Sequence, residues 1–223
     1  NAHPHVASGR VSIVHNGIIE NHQVIRRRLE SAGHQFSSDT DSEVLAHLFV
    51  EAFDSDMEPA AAAQKVLSEI DGAYAFAVMA IDYPDMLIVA RNASPLALGI
   101  GDQACYVGSD AIALSHLTRK FIYLKDNDYA LVRAHGVEVY QGAMQPVKRE
   151  EVIVTASPGL VDKGGYRHFM EKEIHEQPDA IAHSLAAMTN EHGKLTAQMS
   201  DNMLRDIDGI VMLAAGTSHY ATQ

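Results

Sequence analysis

Tyr74-Ala75-Phe76-Ala77-Val78-Met79-Ala80-Ile81 is an apolar run of strand length, and Met86-Leu87-Ile88-Val89-Ala90 follows it after Asp82-Tyr83-Pro84-Asp85. Two apolar runs separated by turn-forming residues are typical of a β-hairpin. We therefore predict an antiparallel hairpin with its turn at residues 82–85. Five more short strand candidates follow, at residues 96–100, 105–107, 121–124, 129–132 and 137–140.

Helices are predicted before the hairpin. Asn21 can cap a first helix that ends at Gly33. Thr40-Asp41-Ser42-Glu43 fits a capping box for a second helix, in which Thr40 and Glu43 satisfy free amides of the first turn. Glu58-Pro59 opens a third helix over residues 60–70, because proline is tolerated in a first turn.

A short alternating segment, Arg10-Val11-Ser12-Ile13-Val14, comes before these helices and is predicted to be a strand. His15-Asn16-Gly17 is predicted to stop it, since an Asn-Gly pair readily forms a tight turn. Helices followed by a run of strands, without regular alternation, indicate an α+β domain with antiparallel sheet over residues 1–150.

Turn formers without periodicity predict a linker at residues 151–170. A second region, 171–223, would hold a helix starting at Pro178 and another near residues 203–205. It would continue with a continuous apolar strand at 209–214, of the kind buried on both faces of a parallel sheet. The sequence thus predicts a second, α/β domain of which only the beginning is present.

Composition and charge exclude several classes of protein. The chain has 223 residues with 17 Lys and Arg against 29 Asp and Glu, a formal charge of -12. So acidic a surface disfavours nucleic-acid binding and anionic membranes, and no apolar run reaches the length of a membrane helix. A single cysteine, Cys105, favours a reducing compartment, so we expect a cytoplasmic protein. The missing Met and the Pro-His opening suggest an interior fragment.

Asn16 and Gly17 have two interpretations. They form a good turn, but an Asn amide beside a Gly N–H also places two donors where the oxyanion of an acyl-transfer intermediate could be stabilised. Asp39, Asp41 and Glu43 do not match a calcium loop, since Val44 stands where that loop needs glycine. Capping explains them better, although Asp41 could hold a ligand ammonium group.

His3, His5 and His15 could ligate zinc, but no fourth ligand stands at a recognisable spacing. We expect no metal and no cofactor. Cys105 lies in a predicted strand with no basic partner nearby, which indicates a structural thiol.

Gly216-Thr217-Ser218 follows the apolar strand predicted at 209–214. These residues could cap a helix, or their amides and hydroxyls could bind a phosphate at the carboxyl end of a parallel strand.

Together these motifs resemble the isomerizing glutamine:fructose-6-phosphate amidotransferases, also called glucosamine-6-phosphate synthases. The segments that carry the resemblance run in order along the whole chain: 1–5, 15–21, 38–43, 72–74, 94–96, 166–174, 176–178 and 215–218. The first two are shared with other glutaminases whose nucleophile is N-terminal, whereas the block from Tyr166 to Pro178 followed by 216–218 is particular to this family.

The resemblance implies a partial αββα sandwich of the N-terminal-nucleophile glutaminase type, followed by the start of a sugar-isomerase (SIS) domain. It implies glutamine and fructose 6-phosphate as substrates, glucosamine 6-phosphate as product, and a homodimer for the complete enzyme. Asn16 and Gly17 would form the oxyanion hole, while Asp41 would bind the α-ammonium group of glutamine. His3 would lie near that pocket.

The resemblance further implies that Thr217 and Ser218 belong to the sugar-phosphate site, and that the block from Tyr166 is a hinge region between the two halves. The family attacks glutamine with an N-terminal cysteine whose own amine is the base. This chain begins with Asn1, and Ala215 stands where the family usually has cysteine. We therefore expect these 223 residues alone to be catalytically inactive.

The sequence leaves two alternative functions open. One is another glutamine amidotransferase of the same type, such as a phosphoribosyl-pyrophosphate amidotransferase, although the ending at 216–218 disfavours it. The other is a sugar-phosphate-binding module that has no nucleophile.

Overall fold

The computed structural model describes residues 2–154, 165–189 and 211–213, and the chain divides into two units, Asn1–Asp162 and Lys163–Gln223. The described helices are α1 His22–Ser31, α2 Glu43–Asp54, α3 Pro59–Glu69, α4 Ala111–Leu114 and α5 Phe169–Met188. The described strands are β1 His5–Ala7, β2 Val11–Ile19, β3 Gly72–Ala80, β4 Tyr83–Asn92, β5 Ala97–Ile100, β6 Cys105–Gly108, β7 Lys120–Tyr123, β8 Asp128–Arg133, β9 Gly136–Gln141, β10 Gln145–Pro146 and β11 Glu151–Ile153.

The strands of the first unit form two sheets. One has seven strands in the order β1-β2-β3-β4-β8-β9-β10, and the other has four in the order β11-β7-β5-β6. Neighbouring strands in both sheets pair antiparallel, as the segregation of helices and strands along the sequence predicts. The hairpin of β3 and β4 is confirmed, but β4 already begins at Tyr83, so the turn is shorter than predicted.

Helices α1 to α3 cover one face of the seven-stranded sheet. The apolar side of α2 supplies Leu45 and Phe49, both fully buried, and Phe49 lies edge to face against Phe76 of β3 with ring centroids 6.0 Å apart. Burial of a side chain of this size contributes roughly 2–3 kcal/mol. Residues of β3 alternate, so Phe76 and Val78 face the helices while Ala75 faces the second sheet.

A second apolar core lies between the two sheets. It contains Val89 and Ala130 from the seven-stranded sheet, and Leu98 and Ile122 from the four-stranded one. Ala111 of the short helix α4 packs with Ala97 and Phe121 in a smaller cluster. The first unit is therefore built as a helical layer on two stacked antiparallel sheets, with one short helix beside the second sheet.

The chain passes from the seven-stranded to the four-stranded sheet between β4 and β5, and again between β10 and β11. Arg149 in this connection makes a bidentate ion pair with the fully buried Asp128, with Nε–Oδ2 and Nη2–Oδ1 distances of 2.7 and 2.6 Å. β11 then pairs with β7, so regular sheet continues into the segment that was predicted to be a linker from residue 151. The prediction was wrong there because a three-residue strand carries little periodicity.

The start of α1 differs in detail from the prediction. Asn21 precedes the helix, but its side chain makes no capping bond. Its amide donates to the carbonyl of Glu69 at 2.8 Å and its oxygen accepts from the N–H of Asp71 at 3.0 Å. Asn21 therefore ties α1 to the end of α3. The proline at the first turn of α3 is confirmed at Pro59.

The second unit is described mainly by α5. This helix begins at Phe169 and contains Pro178, so the predicted start at Pro178 is wrong. A proline inside a helix removes one backbone donor, and this helix of 20 residues continues through Pro178. Val211 to Leu213 are exposed and unpaired by any described strand, in contrast to the buried strand predicted at 209–214. The helix predicted near 203–205 lies outside the described residues.

None of the helices in the described part of the chain combines the length and the apolar character that crossing a membrane requires.

Candidate active site

Strand β2 carries Asn16 and Gly17 without interruption. Asn16 pairs with Ala75 and Gly17 with Tyr74 of β3, so the turn predicted at residues 15–17 is wrong. Gly17 has φ of 134°, and a Cβ placed there would lie 2.0 Å from the carbonyl oxygen of Ala73. The glycine is needed because two backbones approach closely at this point, not because the chain reverses.

Asp41 is hydrogen-bonded to the carboxyl end of the same strand. Its Oδ2 accepts a hydrogen bond from the N–H of Ile19 at 2.7 Å. Asp41 is half-buried in the segment that leads into α2. The segment at 37–42 therefore holds its carboxylate two residues beyond Gly17 along β2.

A second tie joins β2 to this segment. His15 Nδ1 lies 2.8 Å from Ser42 Oγ, and both residues are buried. Burial lowers the pKa of His15, and the neighbouring imidazoles of His3 and His5 lower it further, outweighing the opposing effect of Asp41. The imidazole is thus neutral at pH 7. Its buried Nε2 has no hydrogen-bond partner within the described ranges.

Asn16 faces a cavity of about 430 Å³ between the sheets. The polar residues of its lining are Ser12, His3, His15, Asn16 and Ser109, and the apolar part comes mainly from β2, β3 and β6. Asn16 Nδ2 donates to Ser109 Oγ at 3.1 Å. The structure therefore brings His3 and Asn16 to one cavity, whereas Asp41 lies at the end of β2 outside its lining.

The capping box predicted at residues 40–43 is wrong. Ser42 precedes α2 without a side-chain capping bond, and the Glu43 carboxylate turns back to Ser37 and Ser38 instead. Burial alone would raise the pKa of Glu43, but the side-chain and backbone hydrogen bonds from Ser38 and Ser37 lower it to about 2.

This lowered pKa predicts an acid-sensitive contribution to stability. A carboxyl group whose pKa is lower in the folded state stabilises the fold above its unfolded value, and that stabilisation is lost as pH falls through the folded value. For Glu43 the loss runs from pH near 4.5 down to about 2 and amounts to about 3 kcal/mol. Urea unfolding across this range should show a weaker pH dependence in Glu43→Gln than in the parent chain. Equal slopes would contradict it.

The three histidines considered as zinc ligands do not gather into a metal site in the described part of the chain, where no group of three or more His, Cys, Asp or Glu is placed to hold an ion. His3 and His5 lie edge to face with ring centroids 5.2 Å apart. Cys105 is half-buried on β6, and burial raises the pKa of its thiol.

Thr217 and Ser218 lie outside the described residues. In the block that begins at Tyr166, the ring of Tyr166 stacks on His175 with centroids 5.2 Å apart. Sequence reasoning missed the parts played by Ser42, His15 and Ser109. Ser42 and His15 stand inside motifs that predict a cap and a turn, and no sequence signal distinguishes Ser109.

Comparisons with known proteins identify the first unit. A family profile described as "Glutamine amidotransferase domain" matches residues 1–116. Among solved structures, the glutamine phosphoribosylpyrophosphate amidotransferase of B. subtilis has a TM-score of 0.54 and 23% identity, over 66% of this chain and 33% of that one. An allosteric regulatory enzyme of purine biosynthesis has a TM-score of 0.52 and 26% identity, over 60% of this chain and 29% of that one. The first of these likenesses concerns the fold alone.

Relatives in sequence cover almost the whole chain. A "Glutamine--fructose-6-phosphate aminotransferase [isomerizing]" of Zymomonas mobilis subsp. mobilis is 45% identical over 99% of this chain and 36% of its own length. A protein of the same name from Acidithiobacillus ferridurans is 42% identical over 100% of this chain and 37% of its own length. The chain thus spans little more than a third of these relatives. It belongs to the glutamine amidotransferase family, and its resemblance to the isomerizing glutamine–fructose-6-phosphate aminotransferases is confirmed.

Proposed function

We propose that this chain contains the glutamine-binding part of an enzyme that transfers the amide nitrogen of glutamine to fructose 6-phosphate, giving glucosamine 6-phosphate and glutamate. The names of the relatives and their coverage of nearly the whole chain support this activity. The observation that carries it is the hydrogen bond between Asp41 and the Ile19 N–H, because it joins the proposed ammonium ligand to the strand of the proposed oxyanion donors.

The direction of the amides along β2 supports these roles. The N–H of Ile19 points to Asp41, while the next N–H, of Glu20, donates to the carbonyl of Asp71 on the β3 side. Because N–H groups alternate in direction along a strand, the N–H of Gly17 points to the same side as that of Ile19. A glutamine whose α-ammonium group pairs with Asp41 can then extend along β2 towards Gly17.

In this proposal the Gly17 N–H and the Asn16 side-chain amide would donate to the oxygen that becomes negative when the glutamine amide carbon is attacked. Such donors stabilise charge only as it develops, which lowers the barrier. The attacking thiol would come from the terminal cysteine that the resemblance implies. His3, in the same cavity as Asn16, would line the pocket.

The rest of the proposed enzyme follows the family. Residues 1–150 would be the later part of the αββα glutaminase domain, which β11 extends to Ile153, and 171–223 would be the start of a SIS domain, with a linker between the two. Thr217 and Ser218 would bind the sugar phosphate, ammonia would pass between the two halves, and the complete enzyme would be a homodimer that needs no cofactor.

Replacing Asp41 with asparagine tests the glutamine site. The Asn carbonyl can still accept from Ile19, but the charge that pairs with the ammonium group is lost, so L-glutamine affinity should fall at least about tenfold. Isothermal titration calorimetry of the chain measures this. The matched control is Asp39→Asn, on the same segment but exposed, which should bind as the parent does.

A glutamine analogue without the α-amino group sharpens the result. It should bind the parent chain and Asp41→Asn equally, because it offers no ammonium to Asp41. If Asp41→Asn instead binds L-glutamine as tightly as the parent chain, the proposed role of Asp41 is wrong.

A further inference from the structure

Glu43 is an unusual first residue for a helix. Its side chain is 1% exposed, although α2 starts at this residue and the charge could face water. The carboxylate bends away from α2 and accepts four hydrogen bonds. Oε1 accepts from the backbone N–H and the hydroxyl of Ser37, both at 2.8 Å. Oε2 accepts from the backbone N–H of Ser38 at 2.7 Å and from its hydroxyl at 2.5 Å.

The hydrogen bonds continue from Ser38 towards the cavity. Ser38 Oγ lies 2.9 Å from Thr40 Oγ1, which lies 3.3 Å from His5 Nε2. The ring of His5 meets that of His3, which lines the cavity with Asn16. The segment 37–42 is therefore held from inside by Glu43 at its start, and it is held to β2 by Asp41 and Ser42 at its end.

We propose that Glu43 is a positioning residue for glutamine binding, which fixes the segment 37–42 so that Asp41 stays on the Ile19 N–H. The inference rests on the proposed role of Asp41 in binding glutamine. Glu43 itself lies on the inner side of the segment and would act through Ser37 and Ser38, not by touching the substrate.

A carboxylate is required by the donors that surround it. Both oxygens of Glu43 receive two donors each, so an amide in its place would turn an N–H₂ group towards one of the two serines. The only other titratable side chain described in contact with Glu43 is that of His47, whose Nε2 lies 3.7 Å from Oε1. His47 is buried, and burial lowers its pKa. The four hydrogen bonds from Ser37 and Ser38 are therefore the main interactions of the Glu43 carboxylate.

Amide hydrogen exchange in the whole chain, followed by NMR, tests the inference. In Glu43→Gln the Ile19 amide should exchange at least about tenfold faster, because the acceptor that protects it is no longer held in place. The amide of Phe49, inside α2, reports the loss of global stability that Glu43→Gln also causes, and it should accelerate by a smaller factor than the amide of Ile19. A purely structural role would accelerate both amides by the same factor, and that result, or an unchanged Ile19, would overturn the proposal.

Two further variants keep the test decisive. Ser38→Ala removes one hydroxyl from the network and should accelerate Ile19 in the same direction, even if Glu43→Gln fails to fold. Glu51→Gln is the control, since Glu51 sits on the outer side of α2 in an ion pair with Arg28 and should leave Ile19 unchanged. Faster exchange of Ile19 in Glu51→Gln as well would overturn the assignment to Glu43.

L-Glutamine titration of the same variants separates this inference from the proposed function. Weaker binding in Glu43→Gln and Ser38→Ala, with Glu51→Gln like the parent, supports both. If the parent chain does not bind glutamine, the proposed function fails, whereas the exchange of Ile19 still decides whether Glu43 positions the segment.

Discussion

Gly17→Ala is expected to lower the free energy of unfolding by about 4 kcal/mol. The new methyl group would lie 2.0 Å from the carbonyl oxygen of Ala73, so β2 and β3 must separate locally. The positive φ of 134° adds backbone strain, and overpacking and strain each cost about 1–3 kcal/mol. Urea denaturation followed by circular dichroism measures the effect.

Gly33→Ala is the matched control for this experiment. Gly33 also has a positive φ, of 97°, but a Cβ there would meet no atom within 4 Å. It should therefore cost only about 1–2 kcal/mol, the strain of the backbone alone. Equal losses in the two variants would show that the close approach of β2 and β3 does not constrain position 17.

Asp128→Asn is expected to destabilise the chain by about 3–5 kcal/mol. Asp128 is fully buried and holds both Arg149 and the N–H of Lys125, so removing its charge leaves a largely buried guanidinium without its counter-ion. Because Arg149 lies where the chain crosses between the sheets, β11 should also loosen. Thermal or urea unfolding gives the first effect, and amide exchange in β11 gives the second.

The exposed pair of Arg133 and Glu138 provides the comparison. Glu138 has 56% of its side chain exposed, so Glu138→Gln should change stability by less than about 1 kcal/mol. A similar cost for the two substitutions would contradict the view that burial makes the Asp128 pair important.

The strands and helices that sequence predicted correctly are those with a local cause. The hairpin of β3 and β4 follows from two apolar runs, and α3 follows from a proline at its first turn. Asn16-Gly17 shows where local reasoning fails. The pair belongs to a strand because β3 pairs with it, and that partner begins after three intervening helices.

The candidate site shows the same division. Motifs alone singled out Asn16, Gly17 and Asp41, and spacing could not show that Ile19 joins Asp41 to their strand. The pattern at 40–43 matched a capping box, yet the carboxylate of the buried Glu43 accepts its hydrogen bonds from Ser37 and Ser38. A capping box and an inward-turned carboxylate have the same sequence, so only tertiary contacts separate them.

The pairing of β2 with β3 also has a consequence for folding. Residues 11–19 come early in this chain, but the strand that fixes them is complete only at Ala80, after α1, α2 and α3. Contacts that close such long loops form late, since the entropy of closure must be overcome first. The helices can gain structure while β2 is still unpaired. We therefore expect Asn16, Gly17 and Asp41 to reach their final arrangement late in folding, after helices α1 to α3 have gained structure.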